Sequence, residues 1–247
     1  MATNITSEGV RIESIENADD FQQAFQCAAE CFGKQTKDGF WCPLNPGWDT
    51  PKGAEEGAAR FANRWRETTT NKDGRPNTVF LKATVPDPNA PGHHVIAGFA
   101  IWQQASFVDG YGDPPASDLG SGGDYLEPTA RRFCNQAFGL LWKQRIQTAK
   151  EKMNADPPAI FVLDLCVVDP AFQRRGIAGK LVQWGLDEAK RRGGLELTTE
   201  ASVMGRPVYA RLGFRGEEKF IETVLDEEFK DRALPPNVFM RTGGTPE

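Results

Sequence analysis

The segment LDLCVVDPAFQRRGIAGKLV, residues 163–182, carries the most information about the fold. It begins inside a short, nearly continuous apolar run over 159–168, which is rich in β-branched residues and typical of a buried central strand. The run stops at Asp169-Pro170. A helix is predicted to follow over 175–192. The glycine pair at 193–194 is typical of the residues that end a helix. The sequence therefore predicts a buried strand that turns tightly into a helix.

The turn between this strand and this helix is suited to hold an anion. The first turn of a helix leaves N–H groups unpaired and carries partial positive charge, so small residues there favour close approach of a phosphate or pyrophosphate. A plain connection with glycines for packing is the alternative. The G-x-x-x-x-G-K-[ST] pattern of other phosphate loops is absent. The small and basic residues of the turn are Gly176, Ala178, Gly179, Arg174, Arg175 and Lys180.

Outward from this segment, strands alternate with helices, which predicts an α/β or α+β fold in one domain over 1–247. A loop rich in Gly, Pro, Asp and Ser over 106–124 is predicted to be mobile, and 106–158 reads as an insertion. The other strands are predicted at 10–15, 78–85, 95–103, 195–201, 214–223 and 238–241. The other helices are predicted at 19–32, 51–65, 126–153 and 207–212.

Composition excludes several classes of protein. The 247 residues carry 29 Lys plus Arg against 34 Asp plus Glu, and this net charge of −5 argues against a general nucleic-acid binder. No apolar run is long enough to cross a membrane, and the start of the chain does not resemble a secretory signal. The five cysteines are scattered and there are two histidines, so we expect no metal and an intracellular, cytoplasmic location.

A second segment, LELTTEASVMGRPVYARLGF at 195–214, adds a strand and a short helix. Together the two segments resemble the GNAT superfamily of acyl-CoA-dependent N-acyltransferases. The family pattern Q/R-x-x-G-x-G/A fits residues 173–178. The strand end Val168-Asp-Pro170 is similar to the Val-x-Pro of the family, and the segment from Tyr209 to Phe214 is similar to its Tyr-x-x-x-Gly-Phe. The resemblance implies a mixed sheet of about six or seven strands, splayed between the strands at 159–168 and 195–201 and flanked by helices.

The resemblance also implies acetyl-CoA as cosubstrate. Its pyrophosphate would lie on the backbone amides of the turn, and its pantetheine arm would pair with the end of the central strand, where an N–H of Val167 or a neighbour would polarise the thioester. The residues expected to bind it are Cys166, Val167, Val168, Gln173, Arg174, Arg175, Gly176, Ile177, Ala178, Gly179, Lys180, Ser202 and Tyr209.

Catalytic residues are expected on the same elements. Tyr209 occupies the family's tyrosine position and would donate a proton to the departing thiolate, with packing as the alternative. Asp164 and Glu200 are the candidate bases, because each is a carboxylate on one of the two splayed strands. Strand alternation would place Asp164 and Cys166 on one face of the sheet. Thr198 stands where some relatives carry a glutamate, a departure from the family pattern.

The acceptor pocket has no motif. It is expected between the first two helices, the hairpin and the insertion. An aromatic loop over 33–51 would form a lid or wall of this pocket, or would pack on the core. Acidic residues of the insertion loop would attract an amine or simply keep that loop solvated. The predicted function is transfer of an acetyl group to a primary amine of a small molecule, by a monomer or homodimer. Acetylation of a protein or peptide and non-catalytic binding of acyl-CoA are the alternatives. The candidate residues are Phe40, Trp41, Trp48, Phe99, Trp102, Asp109, Asp113, Asp118 and Asp124.

Overall fold

A computed structural model describes residues 9–216 and 219–243. The described strands are β1 Arg11–Ser14, β2 Thr78–Pro86, β3 His94–Ala105, β4 Ile160–Val168, β5 Glu196–Ala201, β6 Arg215–Gly216 and β7 Val238–Arg241. The described α-helices are α1 Asp20–Ala28, α2 Trp41–Leu44, α3 Pro51–Arg66, α4 Pro128–Glu151, α5 Ile177–Arg191 and α6 Arg206–Arg211. A π-helical segment, Ala29–Gln35, continues α1, and short 3-10 turns lie at Gly120–Gly123, Pro170–Phe172 and Glu227–Phe229.

Within the described residues the strands form a seven-stranded mixed sheet in the order β1-β2-β3-β4-β5-β7-β6. Neighbouring strands are antiparallel except β4 and β5, which are parallel and joined by α5. A parallel pair needs such a crossover, and it places the start of α5 beside the carboxyl end of β4. The mixed sheet flanked by helices that the resemblance implied is confirmed.

Helices cover both faces of the sheet. On one face, which we call the α5 face, Trp102, Leu163 and Ile177 share a buried cluster with α6. On the opposite face, the α1 face, Phe21 and Phe99 belong to a cluster that contains α1 and α3. Helix α4 packs on β4 through Ala149, Ile160 and Val162, and on α2 through a further cluster. The insertion is thus built onto the sheet.

A β-bulge in β4 breaks the strand alternation that the sequence suggested. Trp102 of β3 lies opposite Leu163 while Ile101 lies opposite Leu165, so Asp164 is the extra residue. Leu163 and Cys166 consequently pack on the α5 face, whereas Leu165 packs on the α1 face. The expectation that Asp164 and Cys166 share a face is wrong, because the bulge shifts every later residue of β4 by one position.

The predicted elements agree with the structure in most places, with two differences at their ends. Helix α1 ends at Ala28, and the remainder of the predicted helix has π-helical geometry. The predicted strand at 214–223 is wrong beyond Gly216 for residues 219–223, while 217 and 218 lie outside the described residues. Ile221 and Leu225 instead pack near α4, which draws the chain away from the sheet. In the described part of the chain, no helix is long and apolar enough to span a membrane.

Candidate active site

Strands β4 and β5 separate at a defined point. Their parallel pairing runs from Ile160 opposite Glu196 to Leu163 opposite Thr199 and then stops, although both strands continue. We call the gap beyond this last pair the splay. The splay that the family resemblance implied is therefore present. It leaves one edge of the carboxyl end of β4 open for hydrogen bonding.

Backbone parity decides which amides face the splay. The N–H of Asp169 donates to Ala97 O of β3 at 3.0 Å. In an antiparallel pair, the residues that hydrogen bond to the neighbouring strand alternate with residues that point away from it. Counting back from Asp169, Val167 therefore bonds to β3, whereas Cys166 and Val168 point away from it. Val167 therefore directs its N–H to β3, so of the expected donors, Val167 or a neighbour, the strand geometry favours a neighbour. The amides of Cys166 and Val168 point to the splay, and these neighbours are the donors that the strand geometry offers.

Tyr209 lies on α6 beside the splay. Tyr209 is 8% exposed, its ring packs on Phe214, and its hydroxyl lies close to the Cys166 thiol. Burial, together with the neighbouring thiol, raises the pKa of Tyr209 well above its ordinary value. Burial likewise raises the pKa of Cys166 to about 12, with a further contribution from Cys31. The phenol and the thiol are both protonated at neutral pH, so Tyr209 is positioned as a proton donor.

The turn between β4 and α5 contains two residues in left-handed backbone conformation. Arg174 has φ of +66° and Gly176, which precedes the first turn of α5, has φ of +78°. Such conformations in close succession turn consecutive N–H groups toward one point and form an anion-binding concavity. A non-glycine residue such as Arg174 adopts this conformation at a cost in strain. The segment 173–179, here called the anion loop, therefore fits the pyrophosphate of a CoA thioester.

Gln173 joins the anion loop to both neighbouring elements. Its side-chain amide donates to Val168 O at 3.0 Å and to Gln35 Oε1 at 2.8 Å, and the Gln35 amide donates back to Gln173 Oε1 at 3.1 Å. Because Gln35 ends the π-helical segment after α1, these hydrogen bonds join the anion loop directly to that segment. The sequence did not indicate this pairing.

The remaining residues predicted to bind the cofactor differ in which groups they leave available to it. Ile177 is buried in the core and offers only its backbone, and Arg175 folds back to donate to Ala171 O at 3.0 Å. Arg174 and Lys180 make no ion pair with any residue that the structure describes. Ser202 Oγ accepts a hydrogen bond from the N–H of Gly205 at 3.2 Å and so shapes the turn before α6.

The two candidate bases are held by arginines on the α1 face. Arg145 of α4 donates from Nη1 to Asp164 Oδ1 at 2.8 Å and from Nε to Glu200 Oε1 at 2.9 Å, and its Nη2 also bonds Glu200. Arg64 of α3 donates to the other oxygen of Asp164 at 2.9 Å. Burial opposes the charge of Asp164, but the two arginines outweigh it and hold the pKa of Asp164 well below its ordinary range. These four residues form what we call the carboxylate–arginine network.

The network leaves Asp164 poorly suited to accept a proton. A carboxylate whose charge is stabilised by two guanidinium groups is a weak base. Arg145 is the residue that the sequence analysis overlooked. A signal was present, since the buried i+4 row Phe133, Ala137, Leu141 and Ala149 of α4 contains Arg145 at its one charged position. A buried arginine in an apolar row needs buried carboxylates.

The aromatic residues proposed for the acceptor pocket are mostly core residues. Phe99 and Trp102 are both 0% exposed, so the expectation that they line an open pocket is wrong. Phe40 and Trp41 are also buried, because they pack against Phe138 and Phe25 respectively. Only Trp48 of this set is partly exposed. The aromatic loop over 33–51 therefore serves chiefly to join α2 to the core.

The acidic residues of the insertion loop are also engaged. Asp113 accepts hydrogen bonds from Thr69 Oγ1 at 2.7 Å and Asn77 Nδ2 at 3.1 Å, Asp118 accepts one from the N–H of Gly120, and Asp124 pairs with Arg131 at 2.8 Å. Asp109 is exposed. These bonds order the loop and give no sign of an acidic surface facing the splay. Across 9–216 and 219–243, no group of three or more His, Cys, Asp or Glu is arranged to hold a metal ion.

One family model matches the part of the chain that contains the candidate site. Residues 143–223, which contain the splay, the anion loop and Tyr209, match the family model of the acetyltransferase (GNAT) domain. The resemblance to the GNAT superfamily is confirmed over this part of the chain, which matches an acetyltransferase domain of the GNAT type. No curated protein sequence matches the chain.

Solved structures support the same fold over nearly the whole chain. Mosquito arylalkylamine N-acetyltransferase like 5b is 14% identical with a TM-score of 0.59, covering 94% of this chain and 98% of its own. Arylalkylamine N-acetyltransferase 2 from Aedes aegypti is 19% identical with a TM-score of 0.57, covering 94% and 97%. The polyamine N-acetyltransferase of Drosophila melanogaster is 13% identical with a TM-score of 0.51, covering 94% and 97%. At these identities the likeness concerns the fold.

Proposed function

We propose that the protein transfers the acetyl group of acetyl-CoA to the primary amine of a small molecule, within one domain over 1–247 that includes the insertion at 106–158. The observation that carries the proposal is the splay, which the amides of Cys166 and Val168 face. The anion loop and the Tyr209 phenol lie beside it. These three parts supply what aminolysis of a thioester needs at one place: an anchor for the phosphates, donors for the carbonyl oxygen and a proton for the sulfur.

The residues have distinct tasks in this reaction. The amides of Cys166 and Val168 stabilise negative charge on the carbonyl oxygen as the amine nitrogen bonds to the carbonyl carbon. Tyr209 gives its proton to the sulfur as the carbon–sulfur bond breaks, and its raised pKa means that the phenol is protonated at neutral pH. The proton of the amine leaves through water, because Asp164 and Glu200 are held in ion pairs.

The insertion favours a small acceptor over a peptide. Tyr125 donates a hydrogen bond to Leu44 O, and Arg60 of α3 lies 4.3 Å over the Tyr125 ring. Phe138 of α4 also packs on Phe40. These contacts hold the insertion against α2 and α3, and we expect them to leave no open groove for an extended peptide. Structurally similar proteins are named for arylalkylamines and for polyamines, which agrees with a compact amine.

The experiment is an acetyl-CoA turnover assay with a panel of arylalkylamines, polyamines and lysine peptides, following release of free thiol. Turnover with a small amine, and none with the peptides, is the expected result. If calorimetry shows CoA binding but no amine in the panel is acetylated, the protein is an acyl-CoA-binding module and the proposal fails. Preferential turnover of peptides supports the alternative of a protein acetyltransferase.

A further inference from the structure

The carboxylate–arginine network occupies the root of the splay. Asp164 and Glu200 are the first residues after the last pairs of β4 and β5, and the bulge turns Asp164 toward the helices. Arg145 reaches both of them with one guanidinium group. Its side chain is 6% exposed and that of Glu200 is 4% exposed, so the contact is buried at the point where the strands part.

The geometry of Arg145 is that of a rigid spacer. A guanidinium group is planar and presents its donors in a fixed fork, so bonds to Glu200 on one edge and Asp164 on the other fix the distance between the two strands. Arg64 holds the second oxygen of Asp164, and Trp142 lies 5.5 Å from the guanidinium carbon of Arg145. The guanidinium therefore has partners on its edges and on its face. Without its charge, two buried carboxylates would face each other and repel.

We infer that Arg145 is a positioning residue that sets the width of the splay and thereby aligns the amides of Cys166 and Val168 for the reaction. This inference rests on the proposed function. It gives the insertion a direct part in catalysis, because α4 carries Arg145 into the sheet. It also gives Asp164 and Glu200 a structural task as anchors of the guanidinium, in place of the task of a base.

The test compares Arg145→Lys with the matched variant Arg132→Lys. Lysine keeps the charge at position 145 but cannot bridge both strands through a planar fork. Arg132 lies on the same helix, where it pairs with Glu228 on the exposed side. For each variant, kcat and both KM values are measured with the best amine, alongside CoA affinity by calorimetry and the melting temperature. We expect kcat of Arg145→Lys to fall at least about tenfold per folded molecule, while Arg132→Lys matches the parent.

Two further measurements keep the inference falsifiable. Glu200→Gln preserves the shape of the anchor, so kcat should fall less than in Arg145→Lys and the acidic limb of the pH–rate profile should remain. An unchanged kcat for Arg145→Lys overturns the inference. The inference also fails if Glu200→Gln loses both turnover and the acidic limb of its pH–rate profile, because Glu200 is then the base. If Arg145→Lys does not fold, the Glu200→Gln profile decides alone. A parent protein that binds CoA but acetylates no amine refutes the proposed function instead.

Discussion

Replacing Gly176 by alanine separates the fold of the anion loop from its function. Gly176 has φ of +78°, and a Cβ atom added there would meet nothing within 4 Å. The substitution therefore adds backbone strain without a clash. Gly194, beyond the other end of α5, provides a matched control, because it has φ of +84° and equally open surroundings but lies outside the candidate site.

The cost of the two substitutions to stability should be similar. An alanine in left-handed conformation costs about 1–2 kcal/mol, which lowers the melting temperature of a chain of this size by roughly 2–8 °C. The effect on binding should differ. Relief of strain at position 176 rotates the adjacent peptide groups, so that at least one amide turns away from the pyrophosphate. A hydrogen bond to a charged group is worth about 1.5–3 kcal/mol, equivalent to a loss of about 10- to 150-fold in affinity.

The assay is titration calorimetry with CoA at a temperature where both variants are folded, together with thermal unfolding of each. Gly176→Ala should bind CoA about 10- to 150-fold more weakly than the parent, and Gly194→Ala should bind it normally. If Gly176→Ala binds CoA as well as Gly194→Ala does, the amides of the anion loop do not hold the pyrophosphate. The reasoning from backbone conformation would then be refuted, whatever the change in stability.

Three further outcomes follow from the described contacts. Tyr209→Phe keeps the ring but removes the proton donor, so kcat should fall about 100-fold or more while the melting temperature changes little, as steady-state kinetics and thermal unfolding will show. The pKa of Asp164 is held below its ordinary value of 3.8, so the stability that this carboxylate contributes is complete above that pH and is lost as the pH falls. In Asp164→Asn, the free energy of unfolding should therefore change less with pH on the acid side. Denaturant titrations between about pH 5 and pH 2 measure this dependence. Gly185→Ala would place a Cβ atom 2.1 Å from the Trp102 ring and should cost about 1–3 kcal/mol in denaturant unfolding, while Gly122→Ala, in open space, should cost little.

The half of the site that we propose to hold the cofactor could be predicted because its features lie in the backbone. Small residues at positions 176 and 178, after a strand that ends at Val168, specify the turn through local sterics alone. Tyr209 was found by its spacing from Gly213-Phe214. Such signals are short in sequence, so one chain suffices to read them. The structure brings these residues together as the resemblance implied.

The bulge and the carboxylate–arginine network could not be predicted in the same way. Alternation in β4 assigns Asp164 to a face only if the strand is regular, and the bulge depends on pairing with β3, about 60 residues earlier in the chain. Arg64, Arg145 and Glu200 come from three separate elements and meet only through tertiary packing. The predicted aromatic pocket failed for a related reason, since aromatic residues at Phe99 and Trp102 contribute equally well to a core.

A physical difference between the two halves of the site explains why one could be predicted from the sequence and the other could not. Under the proposed function, the anion loop holds the same pyrophosphate whatever amine is used, and a backbone conformation that depends on few side chains is sufficient for that. The acceptor half is closed by α4 and the insertion, whose contacts with the core are made by long side chains such as Arg145 and Tyr125. If Arg145 sets the width of the splay, the insertion that selects the amine also aligns the thioester. Substitutions in α4 that alter acceptor preference should then change kcat as well as the KM for the amine.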